Sequence, residues 1–238
     1  MVIMAKFKRV LLKFSGEALA GDKKQGFDEA TCMAVAEQVK KIVDDGVQVA
    51  VVIGGGNFWR GRSSNTIDRV KADQIGMLAT VMNCIYVSEI FRYVGMSTEV
   101  FTPFECGDIA ELFSKDRSVD ALNEGKVIFL AGGTGHPYFS TDTATALRAI
   151  ELDCDVIMMA KNIDGVYNAD PAKDPSAVKY DKISLKEVYD KNLKVIDLTA
   201  TCLCMENSMP LLVFSLNEKD SIINNATGEC TGTMVTCD

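Results

Sequence analysis

The chain has 238 residues, 33 acidic against 25 basic side chains for a net charge of −8, and 47% hydrophobic residues with only five prolines. That length fits one compact α/β domain spanning 1–238, and the composition excludes a disordered, collagen-like or low-complexity chain. The acidity excludes nucleic acid or an anionic membrane as partner, since either calls for a basic face.

Lys6, Lys8 and Arg9 interrupt the amino-terminal stretch where a secretory signal would be apolar, and no apolar run approaches eighteen residues. A cytoplasmic protein, neither secreted nor membrane-spanning, is expected. Eight cysteines are scattered without a Cys-x-x-Cys pair, and there is a single histidine, so structural zinc is not expected. Cysteines in apolar runs, such as Cys84 in LATVMNCIYV, read as reduced thiols acting as small hydrophobes.

Short β-branched runs alternate with helical stretches, the pattern of a mainly parallel sheet covered by helices. The first strand, 9–14 (RVLLKF), runs into KFSGEAL at 13–19. Lys13 stands at the strand end, where its ammonium can reach an anion held by the Ser15-Gly16 turn. A helix follows over 28–45, stopped by Gly46, and then a strand over 47–53 that opens into GGGNFWRG at 54–61, with Arg60 placed to grip phosphate oxygens. A long helix over 68–94 carries Asp73 early and ends at Gly95; its apolar positions suit either a core helix or a subunit face.

Strands at 98–102 and 126–131 lead to a third glycine loop, GGTGHPYFSTDTA at 132–144, whose Ser140-Thr141-Asp142 opens a helix. Asp142 can orient the Lys13 ammonium or help hold a magnesium ion. His136, without ligand-spaced partners, reads as a pocket-wall residue rather than a base. A strand at 155–160 precedes the Asp-, Asn- and Pro-rich segment 162–182, read as an irregular crossing. Helices at 184–191 and 199–208 and a strand at 210–215 complete the pattern, with no internal repeat.

Glycine-rich turns at three strand ends carry the functional reading, because in open α/β sheets ligands bind beyond the carboxyl ends of strands, where glycine lets backbone amides approach an anion. None of the three fits the P-loop, the dinucleotide-binding fingerprint or the protein-kinase signatures. Phosphoryl transfer needs mainly positioning and charge stabilisation, and a unit charge about 4 Å from another is worth roughly 4 kcal/mol at an effective dielectric of 20. One placed lysine therefore matters.

The stretches LLKFSGEAL (11–19), VVIGGGNFWRG (51–61), ADQIGMLATVMN (72–83), GTGHPYFSTDTA (133–144), DGVYNADPAKDP (164–175) and LKVIDLTA (193–200) occur together and in this order. In them the chain resembles the bacterial UMP kinases of the amino-acid kinase family over nearly its whole length. The resemblance implies a three-layer α/β sandwich with a mostly parallel central sheet, the carbamate kinase-like fold, on which ATP and UMP meet over the carboxyl ends of the strands.

By the same resemblance, Lys13, Phe14, Ser15 and Gly16 would meet the ATP phosphates, with Gly56 and Arg60 beside them. Tyr167 and Asp170 would line the nucleoside end of that site, with Asn162 or Lys161 nearby. Gly55, Asp73 and the run Thr134, Gly135, His136, Pro137, Tyr138, Phe139, Ser140 and Thr141 would form the UMP side. Lys13 would stabilise the transferring phosphoryl group and Asp142 would organise it, with Mg²⁺ carried by ATP rather than by protein ligands. The resemblance also implies a homohexamer activated by GTP and inhibited by UTP.

Two residues depart from the family pattern: His136 stands where a polar residue, commonly asparagine, is expected, and Trp59 is bulkier than the usual neighbour of the arginine. Acceptor choice lies in the loops 54–61 and 133–141, which match the UMP pattern. The alternatives are a family member with another acceptor and a non-catalytic nucleotide- or oxyanion-binding protein.

Overall fold

The computed structural model describes residues 6–23, 25–60 and 66–237. Met1 to Ala5, Lys24 and Gly61 at the end of the second glycine loop lie outside the described residues. In chain order the elements are β1 (Arg9–Phe14), α1 (Gly16–Leu19), α2 (Glu29–Asp44), β2 (Gln48–Ile53), α3 (Arg69–Tyr93), β3 (Thr98–Thr102), β4 (Glu111–Leu112), α4 (Lys115–Asn123), β5 (Val127–Leu130) and α5 (Thr141–Glu151). They continue with β6 (Val156–Lys161), β7 (Val166–Tyr167), β8 (Lys179–Tyr180), β9 (Lys182–Ser184), α6 (Leu185–Asp190), α7 (Leu198–Glu206), β10 (Leu211–Ser215), α8 (Ser221–Thr227) and β11 (Thr233–Thr236).

Nine of these strands form one sheet in the order β4-β3-β5-β2-β1-β6-β10-β11-β9. Every pairing in it is parallel except β10 with β11. The central strands lack polar alternation because both faces are covered. In β1, Val10, Leu12 and Phe14 join one core with residues of α2, α3 and α8, whereas Leu11 joins the opposite core with α4, α5, α6 and α7. The result is a three-layer sandwich with a mostly parallel central sheet.

The helices stop where local chemistry dictates. Asp28 caps α2 by accepting from the Thr31 amide at 3.0 Å, and Gly46 and Gly95 turn the chain after α2 and α3 at φ of +90° and +91°. Among the described residues α3 alone is long and apolar enough to cross a membrane by length and composition, but it is a core helix here. Its Ala79, Val81, Cys84, Val87 and Phe91 are buried, and it packs on α2 and β3. Burial pushes the Cys84 thiol up to about 12, as suits a small hydrophobe.

The segment read as an irregular crossing is more ordered than its composition implies. Val166 and Tyr167 pair antiparallel with Tyr180 and Lys179. The Asn168 side chain accepts from the Val178 amide at 2.8 Å, and the Val166 amide donates to Thr233 Oγ1 at 2.8 Å. Polar side chains thus satisfy a two-stranded ribbon that hydrophobic periodicity does not announce. Also absent from the sequence reading were α4, which buries only Ser118, Ala121 and Leu122, and the short strands β4, β9 and β11.

Strand β1 sits at the centre of the sheet between β2 and β6, with Lys13 level with Val52 and Met159. The chain leaves β1 toward β2 and leaves β6 toward β10, so the carboxyl ends of β1 and β6 flank a topological switch point, where ligands bind in such sheets.

The packing of α3 on the sheet turns on Phe91, fully buried with its ring edge-on to Phe129 of β5 at a centroid distance of 5.2 Å. Phe91→Ala is expected to cost about 3–5 kcal/mol, read as a lower urea midpoint at unchanged slope. A cost below about 1 kcal/mol would place the stability of this seam elsewhere.

Candidate active site

Three loops converge over the carboxyl ends of β1, β2 and β5. Ser15 caps α1, accepting from the Ala18 amide at 3.0 Å, and so turns the chain directly after Phe14. A Cβ on Gly16 would lie 2.2 Å from Asn57 Oδ1 and 2.4 Å from the Gly54 carbonyl, so only glycine lets the first two loops touch. Gly55 meets α3 in the same way, its missing Cβ 2.9 Å from the Gly76 carbonyl. The Phe14 side chain is fully buried in the core, and its carbonyl accepts from the Gly54 amide at 3.0 Å.

A buried amide pair that the sequence reading passed over holds the second loop. Asn83 donates to Asn57 Oδ1 at 2.8 Å and to the Gly54 carbonyl at 2.7 Å, and Asn57 donates back to Asn83 at 3.0 Å and to the Gly26 carbonyl at 2.8 Å. Two buried amides saturating one another fix the glycine backbone without a charge. Only the convergence of GGGN with VMN in the fold reveals the pairing, because 26 residues separate the two asparagines.

Lys13 Nζ lies 3.1 Å from Asp142 Oδ1, with the two side chains 12% and 22% exposed. A second ammonium stands nearby: Lys161, at the end of β6, donates to the Val195 carbonyl. Burial pushes its pKa down, the adjacent Asp142 pulls it up, and Lys13 lowers it further. Two cations and one carboxylate thus act on one another at the switch point, an arrangement suited to gathering and neutralising negative charge.

On one side of this group a cavity of about 500 Å³ opens between the second and third loops and α3. Gly55, Asp73, Thr134, His136, Phe139, Ser140 and Thr141 line it, as do Gly56 and Arg60, which the sequence reading set beside the donor phosphates. Gly135, Pro137 and Tyr138 are not part of its lining. Gly135 packs on Pro103, and Tyr138, at φ +73°, donates its backbone amide to Asp73 at 2.8 Å. Asp73 also accepts from Arg69 at 2.8 Å, so its carboxylate latches the third loop onto α3 as well as facing the cavity.

Residues the sequence reading did not assign to the site also contribute. Thr80 lines the cavity and accepts from the Gly132 amide at 2.8 Å, and Met77 and Gly76 form its α3 wall. Trp59 lines it too, its indole donating to the Ala72 carbonyl at 2.8 Å, so the bulky side chain is fixed rather than intrusive. Arg60 pairs with Glu17 at 2.6 Å at the mouth.

On the other side a cavity of about 490 Å³ is lined by Lys161, Tyr167, Asp170 and the irregular run Leu193 to Val195. Between the two rivals named from sequence, Lys161 lines this space, and Asn162 is exposed and does not. Tyr167 donates to Asp164 at 2.8 Å, and Lys179 donates to the same carboxylate at 3.0 Å. Partial burial pushes the Asp164 carboxyl up, but these two donors outweigh it and hold it below the usual carboxylate range. The hydrogen bond to that carboxylate, with partial burial and its charge, in turn keeps the Tyr167 phenol above its ordinary value. Among the described residues no group of three or more His, Cys, Asp or Glu gathers at metal-ligand spacing.

The family model of the Amino acid kinase family matches residues 8–215. The uridylate kinase of Phocaeicola vulgatus is 46% identical over 234 residues, covering 98% of this chain and 99% of that protein. Among solved structures, the UMP kinase from Bacillus anthracis superposes with a TM-score of 0.94 at 35% identity, covering 98% of this chain and 97% of the other. The uridylate kinase from Archaeoglobus fulgidus superposes at 0.73 with 27% identity, covering 95% and 99%. A match across most of the chain, a relative at this identity over nearly full length and the same three-layer sheet with its glycine loops agree: the chain belongs to the amino acid kinase family.

Proposed function

We propose that this chain transfers the γ-phosphoryl group of ATP to UMP, giving UDP and ADP, with the cavity beside α3 as acceptor site and the cavity beside Tyr167 as donor site. The observation that carries the reading is the Lys13–Asp142 pair at 3.1 Å, set at the switch point with Lys161 beside it and a cavity on either hand. The uridylate kinase relatives, at 46% and 45% identity over 234 residues each, support UMP as the acceptor.

In this reading a phosphate oxygen of UMP attacks the γ-phosphorus in line as the bond to the ADP oxygen breaks. No protein base is needed, because that oxygen is already anionic. Lys13 stabilises the charge spread over the transferring group, Asp142 holds that ammonium in place, and Lys161 adds a second cation at the donor end. The glycine backbones at 16 and 54–56 admit phosphate oxygens to backbone amides, and Arg60 guards the acceptor mouth. His136 and Phe139 wall the acceptor base and ribose, and Asp73 keeps the loop that carries them closed against α3.

Metal-dependent phosphoryl transfer is general to such kinases. Here Asp142 is engaged by Lys13 and no ligand cluster gathers among the described residues. In this reading Mg²⁺ is carried by the phosphates of ATP, where it would neutralise charge. Activation by GTP, inhibition by UTP, a homohexamer and a cytoplasmic setting belong to the same reading. The partly exposed Ile75, Leu78 and Met82 on one side of α3 are compatible with a subunit face.

An ADP-release assay with ATP, Mg²⁺ and UMP, CMP, dUMP, AMP, aspartate or carbamate in parallel tests the assignment. Strong turnover on UMP above all others is expected, and a preference for any other acceptor would overturn it. Lys13→Met is expected to lower turnover roughly a hundredfold or more with the fold intact by circular dichroism; near-parental turnover would remove Lys13 from its role. In steady-state titrations Asp73→Ala should raise KM for UMP at least about tenfold while KM for ATP moves less than about threefold. An equal rise in both would place Asp73 outside the acceptor site.

A further inference from the structure

We infer that Asp197 is a positioning residue for the phosphoryl-transfer centre, acting through Ser140 and the first turn of α5 to hold Asp142 against Lys13. Asp197 sits in VIDLTA at the start of α7 and caps that helix, its Oδ1 accepting from the Ala200 amide at 3.1 Å. Capping alone would explain an aspartate there, but the carboxylate does more. Its Oδ2 accepts the Ser140 hydroxyl and the Thr143 hydroxyl, the latter at 3.0 Å.

Ser140 is itself the cap of α5, its Oγ accepting the amides of Asp142 at 3.0 Å and Thr143 at 3.2 Å. Those two amides occupy its acceptor capacity, so its hydroxyl proton is committed to Asp197 and its rotamer is fixed from outside its own helix. The chain of contacts runs from Asp197 through Ser140 to the Asp142 backbone, and from the Asp142 carboxylate to Lys13 at 3.1 Å. Two residues before Asp197, the Val195 carbonyl receives the Lys161 ammonium. One short strap therefore fixes both the carboxylate and the second lysine, and its preceding residues wall the donor cavity. Sites of this kind lose activity when the supporting contacts slacken, even with every reacting group present.

This inference rests on the two cavities being donor and acceptor sites. The test is a double-mutant cycle in the ATP and UMP assay. Asp197→Asn keeps an oxygen for the Ala200 amide, and asparagine caps helices as well as aspartate, but it puts an amide that cannot accept where Oδ2 stood. We expect kcat to fall about tenfold to a hundredfold with the thermal midpoint little changed, and Thr143→Val, which removes one donor to the same carboxylate, to fall in the same direction by about threefold to tenfold. On the Lys13→Met background, each added substitution should cost less than about threefold, because its route to the reaction is already cut.

Parental kcat in Asp197→Asn, or losses that multiply on the Lys13→Met background, would overturn the inference while leaving UMP kinase activity standing. Absence of turnover in the parent protein would overturn both. If Asp197→Asn fails to fold, the Thr143→Val cycle decides by the same two criteria.

Discussion

Two ammonium groups and one carboxylate meeting at the end of a buried sheet is the constraint on which the rest of the structure depends. Lys13 and Lys161 repel one another, and Lys161 already gives up part of its affinity for a proton to burial. Asp142 makes the cluster tenable, and its place is set by three elements that are far apart in sequence: β1, β6 and the first turn of α5. Strand pairing supplies the first two, since β1 and β6 are neighbours in parallel register up to Phe14 and Ala160. Helix capping supplies the third, through Ser140. The deep apolar cores on both faces make that register non-negotiable, because a slip of one residue would exchange Leu12 for Lys13 and put a charge into the packed layer.

The glycine loops answer a different demand. An anion can approach backbone amides only where no Cβ intervenes, and here glycines also let the loops approach each other. Gly16 faces Asn57 and Gly54 at distances that no side chain tolerates, and Gly55 faces a helix carbonyl. The cavity beside α3 is thus walled by glycine backbone and by α3, with side chains such as His136 and Phe139 completing its lining. His136 and Trp59 belong to the side-chain part of that wall, Trp59 held there by its hydrogen bond to the Ala72 carbonyl.

The sheet and its helices were legible because the central strands are continuous apolar runs and the long helices end at glycines 46 and 95, both signals local to the chain. Lys13, Asp142 and the three loops were legible as motifs, and their proximity followed from strand ends converging. What escaped the sequence reading was held by polar contacts across long separations: the Asn57–Asn83 pair, the Asp197–Ser140 contact and the β7–β8 ribbon. No periodicity encodes such contacts, since each residue alone is an ordinary turn or cap. The choice between Lys161 and Asn162 likewise depended on where β6 ends, one residue deciding which side chain lines the cavity beside Tyr167 and which faces water.

The amide pair beneath the glycine loop has a consequence for how the centre responds to its surroundings. Asn57 and Asn83 carry no charge and do not titrate, so the contacts they make with the glycine loop do not themselves depend on pH or salt. Ionic strength acts on this centre through charged groups such as Lys13, Asp142 and Lys161 rather than through the amide pair. The loop is thus insulated at its base: a neutral pair holds the backbone on which the charged side chains stand.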